Sequence, residues 1–424
     1  MTEAFLQYLW QYRLVGEHFL CTVSGERIRI IHPGEINTDS GPDFFNARII
    51  IGDTIWAGNV EIHTKSSDWQ KHRHHLDKAY DSVVLHVVYE ADVVLPPVGG
   101  RDVPVLELRD GINNSIWKKY NKMIRGKDMI PCGKQLAKVD HLILDSWMDR
   151  MLTERLEEKS ELILSLLRNN KFDWEETFYQ LLARSFGFKV NGVPFEMLAR
   201  SLPLKCILRQ GDNLFRVEAL IFGQSGLLDK KYTDPYPRRL NEEYQFLMKK
   251  YSLSPLPAHI WKFLRLRPAN FPTIRLAQFA SLMNKYKFIF SKMMESDNVK
   301  SVETIIRTSV SDYWKIHYLF DKESLCEEKD LGEDATTTIM INTVIPFMFV
   351  YAGRNGDELR REITFSLLSQ IPGEENSVVK QWKSFGISVL YASHSQALLH
   401  LTKKYCSLRK CLQCNIGISL IKNS

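Results

Sequence analysis

Hydrophobic positions follow two different periods along the chain, and the change comes near residue 130. Before it, short apolar runs alternate with turn-forming residues, which is typical of strands. Residues 46–51 and 55–65 are joined across Gly52-Asp53, and glycine at that position suits a tight type II′ turn, so this pair predicts a β-hairpin. Residues 83–89 are almost continuously apolar, which predicts a strand covered on both faces.

After residue 130 the period becomes helical. Apolar residues recur near positions 144, 148, 152, 156, 163 and 167. Asp173, followed three residues later by Glu176, predicts a capping box that opens a further helix, which Gly187 closes. The sequence therefore predicts an α+β chain. A mixed α/β sheet domain occupies residues 1–130, and a larger, mostly α-helical domain occupies residues 131–424, with room for two helical subdomains.

Composition limits the classes of protein that fit. The chain has 424 residues, of which 44% are hydrophobic and 25% are charged, so it is neither disordered nor collagen-like. A net charge of +6 permits contact with phosphates without requiring it. The longest apolar stretch, 339–352, is interrupted by polar residues and is shorter than the roughly 20 residues of a spanning helix, so we expect no membrane span. Seven cysteines, an odd number, favour a reducing cytoplasm.

The densest group of reactive side chains lies in and before the second hairpin strand. Side chains alternate between the faces of a strand, so Glu61, His63 and Lys65 should share one face. Asp43 precedes the first hairpin strand, and pairing should bring its carboxylate near that of Glu61. Two neighbouring carboxylates repel unless a cation lies between them, and Mg²⁺ or Mn²⁺ suits such oxygen ligands. A bound ion of this kind activates water and stabilises a phosphoryl group.

The motifs Pro42-Asp43 and Glu61-Ile62-His63, separated by a hairpin, resemble the core of the PD-(D/E)XK nuclease superfamily. The resemblance implies a restriction-endonuclease-like sheet domain and nucleic acid as the substrate. It also implies that Asp43 and Glu61 bind the metal ion, with the backbone carbonyl of Ile62 assisting. His63 stands where the superfamily usually has lysine.

The leading hypothesis is therefore an Mg²⁺-dependent phosphodiester hydrolase, a nuclease. In it His63 positions the attacking water, Lys65 contacts the phosphate, and Glu35 is a further metal ligand or orients the water. The missing lysine favours an alternative, in which the nuclease-like domain is inactive and serves as a binding module or scaffold for nucleic acid or protein. The chain as a whole also resembles a family of uncharacterised bacterial proteins through residues 37–69, 267–272 and 411–417, and this resemblance implies an architecture rather than an activity.

Histidines are concentrated in the same region. Five of the 12 lie between residues 63 and 86, namely His63, His72, His74, His75 and His86. Imidazole suits zinc, and the helical spacing of His72 and His75 would point both at one ion, which gives a third hypothesis, a zinc hydrolase. The alternative is that these histidines are surface and packing residues, with His86 a core histidine inside an apolar strand.

Four cysteines suggest a second metal centre. Cys406, Cys411 and Cys414 are closely spaced, and Cys132 is the obvious fourth ligand. Four thiolates suit structural zinc or an iron–sulfur cluster. The alternative is that these cysteines are buried small hydrophobic residues.

Arginines interleave with aromatic residues between Trp261 and Arg275. Guanidinium groups match phosphate geometry, so Arg265, Arg267 and Arg275 are candidates for contacts with a nucleic-acid backbone. The alternative is a helix end and a proline-ordered loop whose arginines are solvated.

Overall fold

The computed structural model describes residues 1–16, 20–37, 39–97 and 101–422. The chain divides into two compact units. Unit 1 comprises Met1–Trp147, Ser384–Gly386 and the C-terminal segment that begins at Leu401. Unit 2 comprises Met148–Lys383 and Ile387–His400. The sequence placed a boundary near residue 130 and assigned the C-terminal segment to the helical domain, whereas this segment packs within unit 1.

Unit 1 is built around a mixed sheet. Its elements before residue 130 are α1 (Glu3–Gln11), β1 (Ile28–His32), β2 (Glu35–Ile36), β3 (Phe44–Ile51), β4 (Thr54–Lys65), α2 (Asp68–Lys71), β5 (Val83–Glu90), β6 (Val105–Glu107) and α3 (Asn114–Arg125). The strand order is β1-β3-β4-β5-β6, and β2 pairs with β3. Strands β3 and β4 form an antiparallel pair, while β4, β5 and β6 run parallel to one another. The predicted hairpin and the predicted buried strand are confirmed.

The middle of the sheet is covered on both faces. Every residue of β5 from Val83 to Val88 is buried, as its continuous apolar run predicts. Helix α1 packs against β4 and buries Phe5, Leu6 and Leu9. Gly58 permits the close approach of β5 to β4, because a Cβ atom there would lie 2.6 Å from the backbone oxygen of Ser82.

The segment after β4 differs from the sequence prediction. The helical spacing predicted for His72 and His75 requires a helix that continues to residue 75, and that expectation is wrong. Helix α2 ends at Lys71, and two short 3₁₀ turns follow at His74–Leu76 and Lys78–Tyr80. Arg73 adopts a left-handed conformation with φ +61°, which interrupts the helix and reverses the chain.

The rest of the chain is mostly helical, and a small hairpin interrupts it. The elements are α4 (His141–Asn169), α5 (Trp174–Phe186), α6 (Phe188–Ser201), α7 (Leu204–Leu208), α8 (Leu214–Gln224), α9 (Pro235–Tyr251), α10 (Pro272–Lys285), α11 (Ile289–Met294), α12 (Val299–Ile306), α13 (Asp312–Lys315), β7 (His317–Leu319), β8 (Lys322–Glu323), α14 (Glu333–Ile339), α15 (Ile345–Asn355), α16 (Glu358–Leu368), α17 (Ser377–Ser384), α18 (Ala392–Leu401) and α19 (Asn415–Lys422). The chain is therefore α+β, with the sheet first and the helical region after it.

Two helices follow from patterns among neighbouring residues in the sequence. The apolar period predicted α4, which spans residues 141–169. Asp173 caps α5, since its Oδ1 atom accepts a hydrogen bond of 3.0 Å from the backbone N–H of Glu176. Phe178, Leu182 and Phe186 then recur every four residues on one buried face.

One helical stretch, Glu333–Asn355, is long and apolar enough to cross a membrane by length and composition alone. It joins α14 to α15 through a π-helical turn. Of its most apolar window, 78% is buried inside the protein, as in the core helix of a globular domain.

Candidate metal centre

A β-bulge determines which residues face each other at the start of the hairpin. The register of β3 against β4 slips by one residue beside Asn46, which has a left-handed φ of +56°. Two residues of β3 there oppose a single residue of β4, so that Phe44 pairs with Val60. Continuing this register brings Asp43 opposite Glu61.

The carboxyl groups of Asp43 and Glu61 each accept a hydrogen bond from a backbone N–H group of the opposite strand segment. The N–H of Asp43 donates to Glu61 Oε2 at 3.1 Å, and the N–H of Ile62 donates to Asp43 Oδ2 at 3.0 Å. Gln7 of α1 donates to the other oxygen of Asp43 at 2.9 Å. Burial raises the pKa of Asp43 to about 6, and burial together with the neighbouring Asp43 carboxylate raises the pKa of Glu61 to about 9. A bound cation would reverse both shifts, because it favours the ionised carboxylates.

Two imidazoles lie next to the carboxyl group of Glu61, and a third lies next to one of them. Glu61 Oε1 lies 3.3 Å from Nε2 of His63 and 3.3 Å from Nε2 of His74, and Nε2 of His63 lies 3.2 Å from Nδ1 of His72. One ring nitrogen from each of the three histidines lies within 4.8 Å of the others. Ligands of a tetrahedral ion with bonds of roughly 2.0–2.1 Å are about 3.4 Å apart. The distances from Glu61 Oε1 to His63 and His74, and from His63 to His72, are close to this value, and the three ring nitrogens form a group that could hold one ion. We call Glu61, His63, His72 and His74 the histidine cluster.

The protonation of the imidazoles suits metal binding. Burial lowers the pKa of His63 to about 3 and that of His74 to about 4, so both rings are neutral near pH 7 and each offers a lone pair. His86 Nε2 lies 2.8 Å from His63 Nδ1. If Nε2 of His63 offers its lone pair to an ion, Nδ1 carries the proton and donates to His86, which would fix the orientation of the ring.

Two aromatic side chains enclose the cluster. The Tyr80 ring stacks on His74 with centroids 3.8 Å apart, and the Trp69 ring packs 5.0 Å from that of His86. Glu61 is 5% exposed and His63 is 2% exposed, whereas His72 is exposed and Asp43 is half-buried. The cluster is therefore reached from solvent on the side of His72 and Asp43.

His72 shares the candidate metal site with His74, and not with His75 as helical spacing predicted. His75 is exposed and lies outside the group of ring nitrogens that share one centre, and His74 takes its place. The cause is the left-handed turn at Arg73, which directs His72 and His74 back towards β4. The expectation that His86 is a core histidine is confirmed, since it is fully buried.

Two other residues predicted for the site lie apart from it. Lys65 ends β4 with its side chain half-exposed, and its Nζ atom lies 3.8 Å from Glu90 and 3.9 Å from Asp92. Glu35 is exposed on β2, and no described contact joins it to Asp43 or Glu61. The roles suggested for Lys65 and Glu35 stay predictions.

The other predicted sites lie elsewhere in the chain. Cys132, Cys406, Cys411 and Cys414 all line one small cavity of unit 1. Arg265 and Arg267 are exposed. Arg275 is only 8% exposed, and its guanidinium group donates to Gln278 Oε1 at 3.0 Å and to Asn270 Oδ1 at 2.6 Å. Contact of these arginines with nucleic acid stays a prediction.

Comparison with known proteins identifies the family. A family model described as a protein of unknown function, DUF2851, matches residues 3–377. The chain belongs to the DUF2851 family. The matched range includes the whole histidine cluster and Cys132, and it ends before the three C-terminal cysteines. No curated protein and no solved structure is significantly similar to the chain.

Proposed function

We propose that this DUF2851 chain is a metal-dependent phosphodiester hydrolase that acts on nucleic acid. The observation that carries the proposal is the group of ring nitrogens of His63, His72 and His74, with Glu61 Oε1 next to two of them. The carboxyl group of Asp43 lies beside Glu61. Buried carboxylates and imidazoles with strongly shifted pKa values are typical of functional sites.

The topology of unit 1 supports a restriction-endonuclease-like fold. The PD-(D/E)XK resemblance implies a helix, three strands, a helix and a further strand. Helix α1, strands β1, β3 and β4, the short helix α2 and the parallel strand β5 follow this order, with the two-residue strand β2 between β1 and β3. Asp43 at the start of β3 and Glu61 within β4 occupy the corresponding places of the two acidic residues. This correspondence makes a phosphodiester the favoured substrate class.

The ligand set favours a transition-metal ion. Mg²⁺ prefers oxygen ligands and retained waters, whereas imidazole nitrogen suits zinc and other first-row transition metals. We therefore propose Mn²⁺ or Zn²⁺ in place of Mg²⁺, with His63 as a ligand instead of the residue that positions water. Such an ion would lower the pKa of water and stabilise charge on the phosphoryl group. The Asp43 carboxyl group is half-buried beside the cluster, where it would accept a proton from a metal-bound water.

A second candidate function has its own supporting observation. Glu61 and His63 are almost completely buried, and metal sites with four protein ligands are usually structural, whereas catalytic sites keep one position open. On this view the ion stabilises an inactive nuclease-like module that binds nucleic acid or another protein.

Metal binding and cleavage, measured on the same protein, separate these candidates. The full chain is stripped of metal, and then Mn²⁺, Zn²⁺ or Mg²⁺ is added and cleavage of single- and double-stranded DNA and RNA is followed. We expect cleavage with Mn²⁺ or Zn²⁺, its loss in Glu61→Gln and in Asp43→Asn, and unchanged cleavage in Glu242→Gln, an exposed change on α9. Metal binding that Glu61→Gln weakens, without cleavage of any substrate, supports the binding module. If the chain binds none of the three ions, both candidates fail.

A further inference from the structure

The fold brings together four thiols that are far apart in the sequence. Cys132 lies just before a short 3₁₀ helix that follows α3, and Cys406, Cys411 and Cys414 lie in the C-terminal segment. All four are free thiols, and each is only 6–7% exposed. Together they line a single cavity of about 10 Å³, roughly the space that one water-sized sphere needs.

The four thiols share one enclosed place in the fold. Each is buried, and each lines the same small cavity. Four cysteines serving only as small hydrophobic residues would have no reason to face one cavity from two distant parts of the chain.

Polar groups around the cavity are suited to anionic sulfur. The backbone N–H groups of Ile416 and Gly417, in the first turn of α19, hydrogen-bond to the sulfur of Cys414. Helix N-termini stabilise thiolates in this way. Arg409 favours the ionised forms of Cys406 and Cys411, and Lys410 lines the cavity. These donors and positive charges would offset the net negative charge of four thiolates around a divalent ion.

We propose that Cys132, Cys406, Cys411 and Cys414 bind one zinc ion, which fastens the C-terminal segment to unit 1. Four-thiolate sites are typical of structural zinc, and the size of the cavity favours one ion over a multi-iron cluster. The segment already contacts the end of α3, since Arg409 donates to the backbone oxygens of Asp128 at 2.7 Å and Gly126 at 2.6 Å. Binding displaces the thiol protons, and its free energy stabilises the folded unit.

Metal analysis of purified full-length variants tests this proposal. We expect Cys411→Ser/Cys414→Ser to contain about one zinc per chain less than the wild type. The control Cys206→Ser removes a buried thiol of unit 2 and should keep the full zinc content. His63→Ala/His74→Ala should also keep this zinc, so the four-cysteine site and the histidine cluster can succeed or fail separately.

Two measurements on the wild type cover the case in which the serine variant does not fold. Reconstitution with Co²⁺ should produce thiolate-to-cobalt charge-transfer absorption. A strong chelator should expose four further thiols to a thiol reagent in the folded protein. Both results support the site. The proposal is overturned if the chain binds neither zinc nor Co²⁺ or if chelation leaves the thiol count unchanged. Iron with acid-labile sulfide at these cysteines would overturn it as well.

Discussion

The Oε1 atom of Glu61 lies 3.3 Å from Nε2 of His74, yet this buried nitrogen has no hydrogen-bond partner among the described residues. A buried polar atom without a partner is costly and calls for an explanation. Nε2 of His63 lies at the same distance from the same carboxyl oxygen. Nitrogen and oxygen atoms that face a common point in this way have the arrangement expected of metal ligands.

Substituting His74 should therefore weaken metal binding. We expect His74→Ala to lower the affinity for Mn²⁺ or Zn²⁺ at least tenfold, since one ligand is lost. His75→Ala is the matched control, because the neighbouring side chain is exposed and lies outside the cluster. Calorimetric titration of metal-free protein measures both affinities. If His74→Ala and His75→Ala bind the ion with the same affinity, the cluster does not bind it.

Buried Glu218 should make stability depend on pH. It is completely buried on α8, where Tyr236 and Ser311 donate hydrogen bonds to it. Burial raises its pKa from 4.5 to about 7, so the folded state holds the proton more tightly than the unfolded state does. The protonated Glu218 therefore contributes on the order of 3 kcal/mol to the free energy of unfolding. This stability is complete below about pH 4.5 and is lost as the pH rises through 7.

Glu218→Gln removes the titrating group and keeps an acceptor for the two hydroxyl groups. We expect the free energy of unfolding of the variant to change less with pH between 4.5 and 7 than that of the wild type. At pH 8 the variant should be the more stable of the two. Urea unfolding across this pH range measures the effect. Glu242→Gln, an exposed change on α9, should leave the wild-type pH profile intact. A Glu218→Gln profile parallel to that of the wild type would contradict the shifted pKa.

The three arginines proposed to contact nucleic acid should behave differently from one another. Arg275 is buried, bonds to Asn270 and Gln278, and lies over the Phe188 ring at 4.7 Å. We expect Arg275→Ala to destabilise the fold by roughly 2–3 kcal/mol, because it leaves the buried acceptor Gln278 Oε1 unpaired. Denaturant unfolding measures this loss, and a fully stable Arg275→Ala would contradict the structural role.

The exposed pair tests the nucleic-acid interface itself. Arg265→Ala/Arg267→Ala should leave stability unchanged, since both side chains are exposed. If these residues contact phosphates, the double variant should bind DNA or RNA more weakly and with a smaller dependence on salt. Fluorescence anisotropy over a range of salt concentrations gives both quantities. Identical binding curves for the variant and the wild type would remove this surface from the interface.

Local patterns were enough for much of the fold. Alternation predicted the hairpin of β3 and β4, and a continuous apolar run predicted β5, because each signal depends on neighbouring residues alone. The cap of α5 was equally local, since Asp173 and the N–H that it binds are three residues apart. The packing of the C-terminal segment within unit 1 was not predictable in this way, because it depends on contacts between residues far apart in the chain.

The site was predictable in part for the same reason. Strand alternation placed Glu61 and His63 on one face, and hairpin pairing placed Asp43 near them. The choice of His74 instead of His75 depends on the left-handed conformation of Arg73, which is neither glycine nor asparagine and so gives no sequence signal. Only the folded structure therefore shows which histidine side chains such a turn directs to the site.

The bulge at Asn46 gives the last prediction, because it sets Asp43 opposite Glu61. Asn46 has φ +56°, a conformation that glycine and asparagine tolerate and β-branched residues resist. Asn46→Val should cost about 1–2 kcal/mol of stability and, by disturbing the register, weaken metal binding. Asn46→Gly should keep both properties, and Arg48→Val, an exposed change within the same strand, should leave the affinity unchanged. Thermal unfolding and metal titration of the three variants provide the test, and wild-type affinity in Asn46→Val would show that the bulge does not position the site.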